Sequence, residues 1–298
     1  MDTALTYADS HADRFVSELE ELLRIPSVST DSAYDDEVER AAEWLADHFD
    51  GIGMEHTEII ETDGHPLVYA EHITAPDKPT VVVYGHYDVQ PPDPLEEWST
   101  DPFDPTRHDG ALYARGACDD KGQMFMHAKA AEAYLSAEGD LPVNLKYIIE
   151  GEEETGSMAI ETYVREQGER LDGDVVLVSD TAMFSPETPS ITYGLRGLAY
   201  AEITLEGPNR DLHSGNYGGA VDNPANALSR LVAGLHDDDH RIAIPGFYED
   251  VRDLTAAERE TYAALPFDEA AWRDAIGIDD VRTEGDYTTP ECLSARPT

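Results

Sequence analysis

Cysteine is almost absent from this sequence. The 298 residues hold two, Cys118 and Cys292, so neither a disulfide framework nor a multi-cysteine zinc motif can organise the chain. Lysine is confined to Lys78, Lys121, Lys129 and Lys146, and all basic residues number 20 against 63 aspartates and glutamates, a formal charge of -43. So little positive charge disfavours nucleic acid and anionic membranes as partners. No apolar run is long enough to span a bilayer. The opening stretch, MDTALTYADSHADRF, has neither the basic nor the apolar region of a secretion signal. The expectation is a soluble, cytoplasmic protein.

What the chain does have is acid, spread through every segment instead of gathered in one block. A nucleic-acid mimic or an acidic tail would concentrate its charge. Dispersed acid with scarce lysine suits a surface adapted to molar salt, where screening quenches self-repulsion, and implies a halophilic source. A hydrophobic content of 41% is enough for one large domain or two smaller ones.

Apolar residues recur at helical spacing in Phe15, Val16, Leu19, Leu22 and Leu23, and again in Val38, Ala41, Ala42, Leu45 and Phe49, so two amphipathic helices open the chain. Short β-branched runs then predict strands at 67–72, 80–85, 143–150 and 174–180, with helical patterns at 122–137 and 156–168 between them. Alternating strand and helix imply an α/β fold: a mostly parallel sheet with helices on both faces. After about residue 190 the texture changes. Residues 189–208 read as paired antiparallel strands and 223–238 as a helix on them, a smaller α+β domain. The expected division is 1–190 and 191–298, with no closing helix or strand in the tail TTPECLSARPT.

Ligands of open α/β sheets bind at the carboxyl ends of the strands, and acidic residues collect there in this chain. His86 and Asp88 end one apolar run, Glu152, Glu153 and Glu154 follow a second, Asp180 closes a third, and Asp119 precedes a helix. Each has an ordinary reading. In so acidic a chain a glutamate triplet is expected on a solvated loop, a strand-end histidine is commonly a hydrogen-bonded cap, and Cys118 reads as a small packed residue. Repetition at the ends of different strands sets the group apart. Carboxylates converging on one imidazole, with only Arg115 and Lys121 nearby in sequence, would repel one another unless one or two divalent cations sat among them.

The strings GHYDVQPP, EWSTDPF and DGALYARGACDDKGQ, followed by EGEEETGS, LVSD, ITYGLRG and DLHSGNYGGAVDNP, resemble the carnosinase-like di-zinc dipeptidases of the aminoacylase, acetylornithine-deacetylase and succinyl-diaminopimelate-desuccinylase metallopeptidase family. The likeness spans about residues 10–298. It implies a zinc-exopeptidase type catalytic domain at 1–190 and a lid/dimerisation domain at 191–298. It also implies Zn2+, two ions in the family, with Mn2+ or Co2+ as substitutes. By this resemblance the metal ligands are His86, Asp119, Glu154 and Asp180, with Asp119 bridging both ions. Asp88 holds the His86 ring, and Glu153 is the general base that activates a metal-bridging water to split a peptide bond in a dipeptide or short peptide. His213 is similar to the histidine that reaches the partner subunit's site in a homodimer, and its string favours the dipeptidase branch over the deacetylases. The resemblance further implies a cis peptide between Asp119 and Asp120.

Family members run well beyond this length, so a chain truncated at its C-terminus and an incomplete lid domain are expected. The segment beyond would bring the last histidine ligand of the second zinc and the groups that bind the substrate carboxylate. The alternatives to a dipeptidase are a catalytically inactive fragment that only binds metal and an N-acyl amino acid deacylase.

Overall fold

The computed structural model describes residues 2–297. Two compact units divide the chain, Met1–Ser190 and Ile191–Thr298. In the first, chain order runs α1 (Asp2–Leu23), α2 (Asp35–Ile52), β1 (His56–Ile60), β2 (Leu67–His72), β3 (Thr80–His86), β4 (Thr106–His108), β5 (Ala111–Tyr113), α3 (Lys121–Glu138), β6 (Asn144–Glu150), α4 (Met158–Gln167) and β7 (Val175–Val178). The second holds α5 (Ser214–Tyr217), α6 (Pro224–Ala233), α7 (Ala256–Ala263), α8 (Glu269–Ile276) and α9 (Thr289–Ala295).

Local chemistry explains the helix ends. α2 opens on Asp35, Asp36 and Glu37, whose charges favour the positive end of the helix dipole, and stops at Gly53 with φ 96°. α3 stops at Gly139 with φ 78°. In α7, Thr255 and Glu258 form a reciprocal capping box, and Thr288 and Glu291 do the same for α9. The tail therefore does carry a helix, Thr289–Ala295, which corrects the expectation of no closing helix or strand there.

The main sheet is ordered β1-β2-β6-β3-β7, and it is mixed instead of mostly parallel. β1–β2 and β2–β6 pair antiparallel, β6–β3 and β3–β7 parallel. Connection length explains this. A parallel neighbour requires a crossover of about a dozen residues or more, which α3 supplies between β3 and β6. The links at 61–66 and 73–79 are too short to do so. β6 accordingly lies between β2 and β3.

Alternate residues face opposite ways, as a pleated strand requires. Val68, Ala70, Val83, Tyr147 and Ile149 meet Leu45 and Phe49 of α2 and Met124, Phe125 and Ala128 of α3. Leu67, Tyr69, Val82 and Ile148 meet Ile160 of α4 on the other face. Helices thus cover both faces, and full burial of a side chain such as Phe49 contributes roughly 1.5–3 kcal/mol. β7 is the exception: an edge strand whose four residues are all exposed.

The second unit departs further from expectation. Among its described residues there is one isolated bridge, His236 to Ile242, and no strand ladder. The strands read at 189–208 do not form. Ile191, Tyr193, Leu195 and Leu198 are exposed, and Tyr200 is 92% exposed. Strand propensity measures the fit of a side chain to a half-buried pleated surface. Without a neighbouring ladder, the pattern alone does not make a sheet. The helix read at 223–238 forms over the shorter span of α6, capped by Asn223, whose Oδ1 accepts from Ala225 N at 2.9 Å.

Candidate metal centre

Because β3, β6 and β7 run parallel, their carboxyl ends lie along one edge, with His86 opposite Glu150 in register. At that edge His86 Nε2 is 3.0 Å from Asp119 Oδ1 and 3.7 Å from Asp180 Oδ2, and one donor atom from each of the three residues lies within 4.8 Å of the others. Asp119 arrives in the loop ahead of α3, where the Asp119–Asp120 peptide is cis. Gly85 makes room for this loop, since a Cβ there would sit 2.7 Å from Asp120 Oδ2 and 2.9 Å from the side chain of Met124.

Asp88 is fully buried and faces three ways. Its Oδ1 lies 3.3 Å from His86 Nδ1 and accepts from Glu153 N at 3.2 Å. Its Oδ2 accepts from Glu154 N at 3.1 Å. The His86 Nδ1 side is thus committed to Asp88, which leaves Nε2 facing Asp119 and Asp180. Asp88 also fixes the turn that carries the two glutamates. Glu154 stands outside the close trio, its Oε2 accepting from Gln90 Nε2 at 2.6 Å. Glu153 is half-buried. His213 belongs to the second unit, where it is exposed and its Nδ1 accepts from Gly215 N at 3.0 Å. Cys118 is exposed, which corrects its reading as a packed residue.

The electrostatics are those of a site short of positive charge. Burial holds the carboxyls of Glu153, Glu154 and Asp180 above the usual range, with neighbouring acids adding to the effect. Burial raises Asp120 to about 7. Burial opposes charge on His86, but the hydrogen bond to Asp88 and the fields of Asp88, Asp120 and Asp180 outweigh it and lift the ring to about 10. Among the described residues no lysine or arginine pairs with Asp119, Asp180, Glu153 or Glu154. The ammonium of buried Lys121, two residues after Asp119, donates instead to Leu22 O at 3.1 Å and Ile25 O at 2.7 Å. One imidazole and two carboxylates, with no lysine or arginine paired to them among the described residues, are a donor set that suits zinc with room for a further ligand.

A second group able to hold a metal, Glu18, His48 and Glu132, differs in this respect. Lys129 donates to Glu132 at 2.8 Å and to Glu18, while Arg14 reaches Glu18 at 2.7 Å and also Glu132. Two cationic side chains already pair with the group's carboxylates. His48 is stacked on Trp44 at 5.0 Å and packed against Phe125. Burial, with the Lys129 charge, lowers it to about 4. Between its ordinary pKa of 6.5 and about 4, the unfolded chain takes up a proton at this residue and the folded chain does not, so stability falls as pH falls through that window. His48→Phe should remove about 3 kcal/mol of that acid sensitivity. Denaturant titrations of both proteins at pH 7 and pH 4 check it, and equal losses would refute it.

Sequence reasoning missed several residues at the centre. Asp120 Oδ2 accepts from His86 N at 3.2 Å, and the doubled aspartate was its only trace. Glu150 is buried and accepts from Tyr84 Oη at 2.6 Å and Ser157 Oγ at 2.9 Å, tying the glutamate turn to β3. Gln90 and Ser29 leave no periodic or compositional signal.

The profile described as Peptidase family M20/M25/M40 matches residues 82–284. The chain is 36% identical over 291 residues to the Cys-Gly metallodipeptidase dug1 of Schizosaccharomyces pombe, covering 94% of this chain and 61% of that protein. To the Beta-Ala-His dipeptidase of Homo sapiens it is 36% identical over 293 residues, covering 94% and 58%. Among solved structures, human carnosine dipeptidase 1 superposes with a TM-score of 0.75 at 34% identity, covering 95% of this chain and 62% of that one. The M20 family metallo-carboxypeptidase Sso-CP2 from Sulfolobus solfataricus gives 0.74 at 34%, covering 94% and 62%. The chain thus spans about six tenths of the length of these relatives.

Proposed function

This chain belongs to peptidase family M20/M25/M40, and we propose that its centre serves the metal-dependent hydrolysis of the peptide bond in dipeptides or short peptides. The observation that carries the reading is the convergence of His86, Asp119 and Asp180 within 4.8 Å, with no lysine or arginine paired to the two carboxylates among the described residues. Relatives named as dipeptidases and as a metallo-carboxypeptidase support peptides over acyl amino acids as substrates.

In this reading His86, Asp119 and Asp180 hold one zinc, and Asp119 and Glu154 face a second. Zinc bound there supplies Lewis acidity toward a carbonyl and lowers the pKa of a water. The protein's own part is proton handling and alignment. Glu153, its carboxyl raised by burial, takes the proton of the attacking water and returns it to the leaving amine. Asp88 keeps the His86 ring and the backbone of Glu153 in place. His213 contributes to the partner subunit's site in a homodimer.

One observation favours a second reading, metal binding without turnover. Among the described residues the close trio does not include Glu154, the further ligand proposed for a second cation, whose carboxylate is turned to Gln90. Hydrolysis of unblocked dipeptides in high salt, with zinc, manganese or cobalt added, decides between the two. Under the hydrolytic reading, Glu153→Gln lowers the rate by about 10²–10⁴ while metal content is unchanged. Metal uptake with no hydrolysis by the unaltered chain would establish the second reading.

A further inference from the structure

The segment Ile25–Ser29 has no part in the chemistry above, yet it lies directly behind the metal centre. Ser27 is buried, and its Oγ donates to Tyr87 O at 2.6 Å while Val89 N donates to Ser27 O at 2.9 Å. Val28 and Val89 form a parallel bridge. This short pairing brings the next residue, Ser29, against Asp88, and Ser29 Oγ donates to Asp88 Oδ2 at 2.6 Å.

Asp88 is a fully buried carboxylate, and such a group is costly unless its lone pairs are satisfied. Its remaining partners are the backbone N–H groups of Glu153 and Glu154 and the His86 ring, at 3.1–3.3 Å. The hydroxyl contact is the shortest of the four, as expected where O–H meets a charged oxygen. The terminal torsion of an aspartate is soft. Ser29 Oγ shares Oδ2 with Glu154 N, while His86 Nδ1 meets both Asp88 Oδ1, at 3.3 Å, and the Asp88 main-chain O, at 3.1 Å, so the grip on Oδ2 helps set where Oδ1 points.

We propose that Ser29 is a positioning residue of the metal centre: by holding Asp88 Oδ2 it aims Oδ1 at His86 Nδ1 and locks the turn that carries Glu153 and Glu154. This rests on the metallopeptidase reading for the metal, but not for the turn. Without the hydroxyl the Asp88 carboxylate keeps the three longer contacts, to Glu153 N, Glu154 N and the His86 ring, and loses its shortest. The His86 ring and the glutamate turn then loosen together, although Ser29 touches neither side chain of the reacting groups.

The test compares the full chain with Ser29→Ala and Ser29→Thr in high salt. Zinc affinity is measured by chelator competition, and amide hydrogen exchange at Glu153 and Glu154 is measured on the metal-free proteins. Ser29→Ala is expected to weaken zinc binding by about 10–100-fold, the range for partners that orient a ligand. It should also speed exchange at both amides, with the thermal midpoint recorded to separate these effects from global unfolding. Ser29→Thr, which keeps the hydroxyl, should restore both. Where the alanine chain does not fold, Ser29→Cys, of similar shape but a weak donor, carries the same expectation. Unaltered affinity and exchange in a folded Ser29→Ala or Ser29→Cys chain would overturn the proposal. If no protein bound zinc but the exchange difference remained, the metal reading would fail and the anchoring role of Ser29 would stand.

Discussion

Replacing His86 with alanine is expected to remove tight zinc binding from this chain. The histidine is the one imidazole in the converging trio, and without it zinc would meet the carboxylates of Asp119 and Asp180 alone. Two oxygen donors select poorly between zinc and the hard cations magnesium and manganese. The loss should exceed the roughly 100-fold that marks the removal of an orienting partner. Under the proposed ligand set, which gives a second position Asp119 and Glu154 without an imidazole, the unaltered chain is expected to retain one cation tightly. Elemental analysis after dialysis, with chelator competition on both proteins, measures this. Two retained cations per chain, or zinc held equally well by His86→Ala, would show that the ligand set is misassigned.

Salt should have an effect as large, on the fold itself. With a formal charge of -43 spread over every segment, the screening length decides how many acids each acid repels. It is about 3 Å at 1 M and about 10 Å at 0.1 M, so dilution brings many more like charges into mutual range. Few contacts offset this, because lysine and arginine together number 20, and some, like Lys121, are spent on buried carbonyls. Loss of the helical circular-dichroism signal is expected between molar salt and about 0.1 M. An unchanged signal across that range would refute a salt-adapted surface.

Much of the first unit was legible because its elements carry their own periodicity. β2 was read at 67–72 and forms there, and α3, read at 122–137, forms at Lys121–Glu138. The strand-end clustering of acids was legible too, since a polar residue that closes an apolar run leaves a local mark. β1 and the small β4–β5 hairpin were not seen, because HTEII, TRH and ALY are too short to establish a period. The stretch at 189–208 misled for the opposite reason: its pattern is strand-like, but no ladder forms to satisfy its backbone.

By itself, then, the sequence determined what each segment could become and which chemistry its ends could carry. Helical and strand periods, caps such as the Thr255–Glu258 box, and the set of histidine and acids at strand ends are all local properties. Only the tertiary structure decided that β6 enters between β2 and β3 and makes the sheet mixed. It alone brought Asp119 to His86 across 33 residues, and Ser29 to Asp88 across 59. The reason is physical. A contact between distant residues is stabilised by burial and by satisfied hydrogen bonds at the place where they meet, and neither leaves a trace in the order of neighbours along the chain.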